Sequence, residues 1–160
     1  MPPGALDESL DVQGPALGCA AECMPVLQAL RHWFGIESAN EAYEADIDQL
    51  PTFVAHSGEQ VVGFVSVKHH FPASAELYVL GVRPERHRQG IGRRMLYQVE
   101  AWLREQGVEY LQVKTRGPSQ PDEGYERTRA FYRALGYQPL EEMLTLWDES
   151  NPALLMVKRL

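Results

Sequence analysis

The sequence predicts an α/β fold: one mixed sheet with helices on both faces. Three observations carry this expectation. Apolar residues recur first at helical spacing, then at the two-residue period of strands, then in alternation between the two. Gly35, Pro51, Gly58, Pro84, Gly107 and Gly136 stand at the borders of those segments. A chain of 160 residues also suits a single domain, here expected to span 1–160.

Taken in order, residues 1–14 hold Pro2, Pro3, Gly4 and Gly14 among acids with no sustained period, and read as a loose arm. Met24, Leu27, Leu30 and Phe34 make one helical face over residues 17–34, with Pro25 implying a kink or late start and Gly35 the stop. Residues 39–50 form a second, acidic helix ended by Pro51. Residues 52–56 and 61–67, β-branched-rich about Gly58, read as a hairpin, and 75–82 as the next strand. Ile91, Met95, Val99, Trp102 and Leu103 mark a helix over 90–106 capped by Gly107. Then come a strand at 110–114, a loop at 116–124 and a helix at 125–135. A strand pair at 137–146 and 154–157 closes the chain around the loop 147–152.

Composition excludes several classes. Hydrophobic residues at 44% and charged ones at 23% belong to a globular chain, not a disordered one. No apolar run approaches the roughly 18 residues of a membrane span, since Glu22 and Pro25 interrupt the N-terminal candidate. A secretory signal needs a basic start, whereas the first base is Arg31, behind Asp7, Glu8 and Asp11, so a cytoplasmic protein is expected. Cys19 and Cys23 are the only cysteines; one turn apart on a helix, they suit buried, inert thiols better than a disulfide, and a metal site is not expected.

Charge is unevenly spread. Residues 1–60 carry a net of −9 and residues 61–160 a net of +2. Within the second part Arg83, Arg86, His87, Arg88, Arg93 and Arg94 crowd around Gly90 and Gly92. The overall net of −7 argues against nucleic acid as a partner, so this basic turn suits a small anion.

The run His87-Arg88-Gln89-Gly90-Ile91-Gly92-Arg93 joins a strand end to a helix start, where free backbone N–H groups and the positive helix end favour an anion. It lacks the Lys-Ser/Thr pair of a Walker A loop, and Met95 occupies the third glycine of a dinucleotide fingerprint. Preceded by Val82-Arg83-Pro84-Glu85, it resembles motif A of the GNAT superfamily of N-acetyltransferases, Gln/Arg-x-x-Gly-x-Gly/Ala. Arg129-Ala130-Phe131-Tyr132-Arg133-Ala134-Leu135-Gly136-Tyr137 is similar to the family's downstream signature. His87 stands where the family usually has Gln or Arg, and Tyr125 where many members have Asn.

The resemblance implies a GNAT-like sheet of six to seven strands flanked by about four helices. It also implies acetyl-CoA as cosubstrate. The amides of Arg88, Gln89, Gly90, Ile91, Gly92 and Arg93, with His87 beside them, would cradle its pyrophosphate, and backbone groups of Leu80 and Val82 would hold the acetyl carbonyl and pantetheine arm. Glu76, six residues before Val82, matches the glutamate base of the histone acetyltransferase branch. Tyr132 matches the tyrosine that meets the cofactor's sulfur and protonates or hydrogen-bonds the leaving thiolate.

Chemistry agrees with that division of roles. An alkyl amine of pKa about 10.4 is mostly protonated at neutral pH, so a base is useful, and a departing thiolate is helped by a proton donor. Tyr125 and Arg129 share the side of Tyr132 and are expected to wall the site, while Phe131, Thr128 and Leu135 align as the core stripe of their helix. His56, His69 and His70 show no partner pattern and read as fillers. Nothing resembles a nucleophile for an acyl-enzyme, which points to direct transfer.

In the family that the chain resembles the first two helices overhang the acceptor side, so Glu41 and Glu44, with Glu37, Asp46 and Asp48, would form an acidic rim suited to a cationic acceptor, small or peptidic. Two readings stay open: an N-acetyltransferase acting on a primary amine, or a catalytically weak acyl-CoA-binding or sensor module. The oligomeric state, monomer or homodimer, is open too.

Overall fold

The computed structural model describes residues 9–30 and 37–160. In chain order its elements are β1 (Leu10–Ala16), α1 (Ala20–Ala29), α2 (Glu37–Gln49), β2 (Thr52–Ser57), β3 (Gln60–Phe71) and β4 (Ser74–Val82). After a 3-10 turn at Pro84–Arg86 follow α3 (Ile91–Glu105), β5 (Tyr110–Arg116), α4 (Glu123–Ala134), β6 (Gln138–Asp148) and β7 (Asn151–Arg159). The strands form one seven-stranded sheet in the order β1-β2-β3-β4-β5-β7-β6. The mixed α/β class and the four helices are as the sequence predicts.

The arm expected at 1–14 is corrected from Leu10 onward, while residues 1–8 lie outside the described ones. Leu10 and Val12 are buried and Asp11 is exposed, a short two-residue alternation that pairs Leu10 with Ser57 and Val12 with Ala55. Gly14 and Pro15 are tolerated because β1 is an edge strand, where a missing N–H breaks no ladder. The first helix is also shorter than its apolar period suggests; Phe34 lies outside the described residues. At the other end β6 and β7 run on to a two-residue turn. Asp148 folds back to accept from the Ser150 N–H at 2.8 Å and the Asn151 amide at 3.0 Å, converting the expected loop into a tight hairpin.

The chain divides into two compact units: one holds the residues up to Lys68 with Tyr78–Trp102, the other His69–Leu77 with Leu103–Leu160. In the first, α1 turns Cys23, Val26, Leu27 and Leu30 onto Val54, Phe64 and Val79 of the sheet, with Ile47 of α2 closing the cluster. The start of α1 is held by α2, because Asp48 accepts the Ala20 N–H through its carboxylate at 3.0 Å and the Gly18 N–H through its carbonyl at 3.1 Å. β3 and β4 approach closely through two glycines: a Cβ on Gly63 would sit 3.1 Å from the Gly81 carbonyl, and one on Gly81 would press on Leu30 and Phe64 at 3.3 Å.

In the second unit β5 alternates strictly, burying Leu111, Val113 and Thr115, and pairs antiparallel with β7 from Tyr110↔Arg159 to Arg116↔Ala153. Its parallel ladder with β4 is short, from Ser74↔Tyr110 to Leu77↔Val113, although both strands continue past it.

Candidate active site

β4 carries the first group of residues. Beyond Tyr78 its side chains alternate, with Val79 buried and Leu80 and Val82 half-buried. Arg83 ties the strand end to β3, donating its backbone N–H to the Val62 carbonyl at 2.9 Å and its Nε–H to the Val61 carbonyl at 2.7 Å. The turn that follows is built from its own side chains. His87 Nε2 donates to the Val82 carbonyl at 2.8 Å, and Arg86 donates to Gln89 Oε1 at 2.7 Å.

Two residues of this turn adopt left-handed backbone. Arg88 has φ +63, a conformation that costs a non-glycine residue about 1–2 kcal/mol, and Gly90 has φ +79. The Gly90 carbonyl accepts the first helical bond of α3 from Arg94 at 3.0 Å, leaving the earlier N–H groups of that turn without helical acceptors. The Ile91 side chain is buried against Gly63, so this residue offers its backbone alone. No acid stands in the first turn of α3; Arg93 and Arg94 stand there instead. Cations at that end oppose the helix dipole by about 0.3–1 kcal/mol each, a cost that a bound anion reverses. Arg93 itself leans along the helix, donating to the Tyr97 hydroxyl at 2.9 Å.

Glu76, earlier on β4, belongs to the second unit and is buried. Its Oε1 meets His70 Nε2 at 2.7 Å and its Oε2 accepts from Lys114 Nζ at 3.0 Å. This corrects the reading of His70 as a filler. Sequence reasoning missed the pair because nothing in the linear chain signals it; the hairpin turn between β3 and β4 makes the two side chains neighbours.

α4 supplies the rest of that unit's candidates. Asp122 caps it, accepting from the Tyr125 N–H at 3.1 Å. The expected core stripe is corrected: the buried positions are Arg129 and Tyr132, while Thr128, Phe131 and Leu135 are half-buried. The reason is specific, since the buried Arg129 finds an acceptor in the Arg116 carbonyl at 2.6 Å at the end of β5. Tyr132 packs between Phe131 and Tyr137 at ring distances of 5.3 and 5.7 Å. Burial pushes its hydroxyl well above the ordinary tyrosine value, so the group keeps its proton. The Tyr125 ring lies under the Arg116 guanidinium at 5.8 Å.

The acidic rim is only partly free. The Glu41 side chain lies outside the described residues and Glu44 is exposed, but Asp48 holds α1 and Asp46 accepts from the Tyr78 hydroxyl at 2.6 Å. The Tyr43 ring meets Tyr78 edge-on at 6.3 Å, an aromatic contact that the helical pattern does not reveal. Cys19 and Cys23 are buried and free, and burial, then Cys19 and Glu22, push the Cys23 thiol up to about 12. Among the described residues no cluster of His, Cys, Asp or Glu can hold a metal ion, and no helix is long and apolar enough to cross a membrane.

The sheet, the four helices and the cationic turn after β4 define a protein of acetyltransferase architecture. Residues 23–137 match the model of the acetyltransferase (GNAT) family, and the chain belongs to that family of acyltransferases. No curated protein matches it in sequence. Its fold is similar to that of a GNAT-family protein from Desulfovibrio desulfuricans, with 16% identity over 94% of this chain and 98% of that one and a TM-score of 0.80. An acetyltransferase from Thermus thermophilus is 21% identical over 98% of this chain and 100% of its own, with a TM-score of 0.70. A GNAT acetyltransferase from Elizabethkingia anophelis with acetyl-CoA bound is 13% identical over 96% and 99%, with a TM-score of 0.71.

Proposed function

We propose that the chain is a single-domain, cytoplasmic N-acetyltransferase that moves the acetyl group of acetyl-CoA directly to a primary amine. The observation that carries this reading is the start of α3: a strained turn with Arg88 and Gly90 left-handed, opening a helix whose first turn has two arginines and no acid. A helix start so arranged is costly unless an anion such as a pyrophosphate fills it. The Elizabethkingia protein's bound acetyl-CoA supports the same choice of ligand.

Acetyl-CoA supplies an activated acyl carbon and a thiolate leaving group. Backbone groups of residues 88–93 bind the pyrophosphate, with His87 fixing the turn, and those of Leu80 and Val82 orient the thioester. Glu76 serves the removal of the amine's proton. Tyr132, protonated through its burial, donates a hydrogen bond to the sulfur as negative charge develops there. Tyr125 walls the acceptor side, and Arg129 contributes through its hold on the Arg116 carbonyl. The acceptor proposed is cationic, a polyamine, aminoglycoside or lysine-type amine drawn to the rim that includes Glu41 and Glu44.

The test is calorimetric titration with acetyl-CoA at several salt concentrations, followed by CoA release over a panel of amines. Binding that weakens with salt, together with turnover, is expected. Binding without turnover on any amine would favour the acyl-CoA sensor instead, and absence of binding would overturn both readings.

A further inference from the structure

The buried carboxylate of Glu76 is engaged on both sides. Its side chain is 8% exposed, with His70 on Oε1 at 2.7 Å and Lys114 on Oε2 at 3.0 Å. Lys114 also donates to Gln112 Oε1 at 3.1 Å, so the ammonium is fixed between two acceptors on β4 and β5. Glu76 is the charged group that meets the His70 ring, and Lys114 acts on it through the other oxygen of that carboxylate.

Three consequences follow from this arrangement. A carboxylate only accepts, so Nε2 of His70 carries the hydrogen and the lone pair lies on Nδ1. Lys114 already balances the charge of Glu76, so the imidazole need not be protonated for the buried cluster to be neutral. A proton delivered to Glu76 would share an oxygen that already accepts from a donor, whereas one delivered to Nδ1 leaves both of those bonds in place and creates an imidazolium paired with the carboxylate. The ring is 30% exposed, which gives Nδ1 a route to exchange with water.

We propose that His70 is the proton acceptor of the reaction, with Glu76 and Lys114 as the positioning pair that holds its tautomer and its charge. This rests on the acetyltransferase reading and deepens it, replacing a lone glutamate base by a Glu–His pair. An ammonium and a thioester give an amide, a thiol and one proton. The C–N bond forms and the C–S bond breaks; one proton of the nitrogen passes to Nδ1 and on to water, and a second ends on the sulfur. With water in place of the amine, the same nitrogen takes a proton from the attacking water and acetate is released.

The experiment follows CoA release from acetyl-CoA between pH 5.5 and 9.5, with the best amine of a panel and with water alone, alongside calorimetric acetyl-CoA binding. In the wild type the acid limb of kcat/KM reports the neutral imidazole. His70→Gln is expected to lower kcat by on the order of 10²-fold, leave the Kd for acetyl-CoA unchanged and flatten that limb. Lys114→Met is expected to move the limb to higher pH, because the carboxylate then holds the imidazolium more tightly; a merely structural ion pair would not shift it in that direction. Long-range 1H–15N spectra supply a readout free of turnover, with the Nε2–H tautomer expected at neutral pH. An acid limb that persists in folded His70→Gln, or an Nδ1–H tautomer in the wild type, overturns the assignment while leaving the acetyltransferase reading intact. A wild type that binds acetyl-CoA but releases no CoA with amine or water overturns both.

Discussion

Gly90 allows the cost of a turn conformation to be separated from the cost of losing its ligand. Nothing lies within 4 Å of a Cβ built there, so a side chain meets no atom of the protein and its penalty is conformational. At φ +79 that penalty is about 1–2 kcal/mol for alanine, offset by about 0.5–1 kcal/mol because alanine has less freedom to lose on folding. Gly90→Ala should then cost about 1 kcal/mol, which in a chain of this size lowers Tm by about 2–4 °C. Gly90→Val should cost more, since a β-branched residue is a poorer fit to left-handed backbone, and Gly90→Asn less.

Affinity should not follow that order. Each of these side chains would stand between the turn's backbone and a bound pyrophosphate. Losing one charge-assisted hydrogen bond of about 1.5–3 kcal/mol weakens acetyl-CoA binding at least about tenfold. The decisive variant is Gly90→Asn, expected to melt within a degree or two of the wild type yet bind at least about tenfold less tightly. Differential scanning fluorimetry and titration calorimetry on the same samples measure both. Wild-type affinity in folded Gly90→Asn and Gly90→Val would refute the assignment of the pyrophosphate to this turn.

Tyr132→Phe keeps the ring between Phe131 and Tyr137 and removes only the hydroxyl, so kcat should fall by on the order of 10²-fold with acetyl-CoA binding unchanged; steady-state kinetics beside calorimetry check this. Cys23 should resist thiol reagents until the protein is denatured. Because its thiol ionises near its ordinary 9.0 when unfolded and near 12 when folded, stability should hold below pH 9 and fall as pH rises from there, and Cys23→Ala should remove that part of the alkaline slope in urea titrations. If the acidic rim draws a cationic acceptor, changing Glu41 and Glu44 to Gln should reduce kcat/KM severalfold at low salt, with the difference vanishing at high salt and KM for acetyl-CoA unmoved. A kinetically silent double variant would remove the rim from recognition.

The parts of the fold legible in the sequence are those that repeat a period over many residues. α3 and β5 bury one face each, β3 is buried at every position from Val62 to Val67, and the apolar runs that do so are visible in the chain. β1 was obscured because Gly14 and Pro15 imitate a turn, while the alternation that makes it a strand spans only Leu10 to Val12. The cationic turn was legible because Pro84, Gly90 and Gly92 part a strand period from a helical one, with arginines crowded between them. Interactions between elements were not. The Asp46–Tyr78 bond, the Glu76–His70–Lys114 cluster and the burial of Arg129 depend on hairpin register, ladder register and a carbonyl at a strand end, none of which leaves a mark on either partner's own segment.

β5 acts as a ruler. Leu111, Val113 and Thr115 turn to its buried face while Gln112 and Lys114 turn to the other, so the ammonium that meets Glu76 is placed by the count of residues along the strand. Deleting one residue between Leu111 and Lys114 would exchange the two faces and set the lysine where Val113 is buried. Substitutions along this stretch change one contact at a time, whereas a change in its length changes the phase of the whole strand. Length variation is therefore expected to be tolerated at the Pro72–Ala73 turn and not between Leu111 and Thr115, a distinction that a library of single-codon insertions would reveal as a sharp boundary.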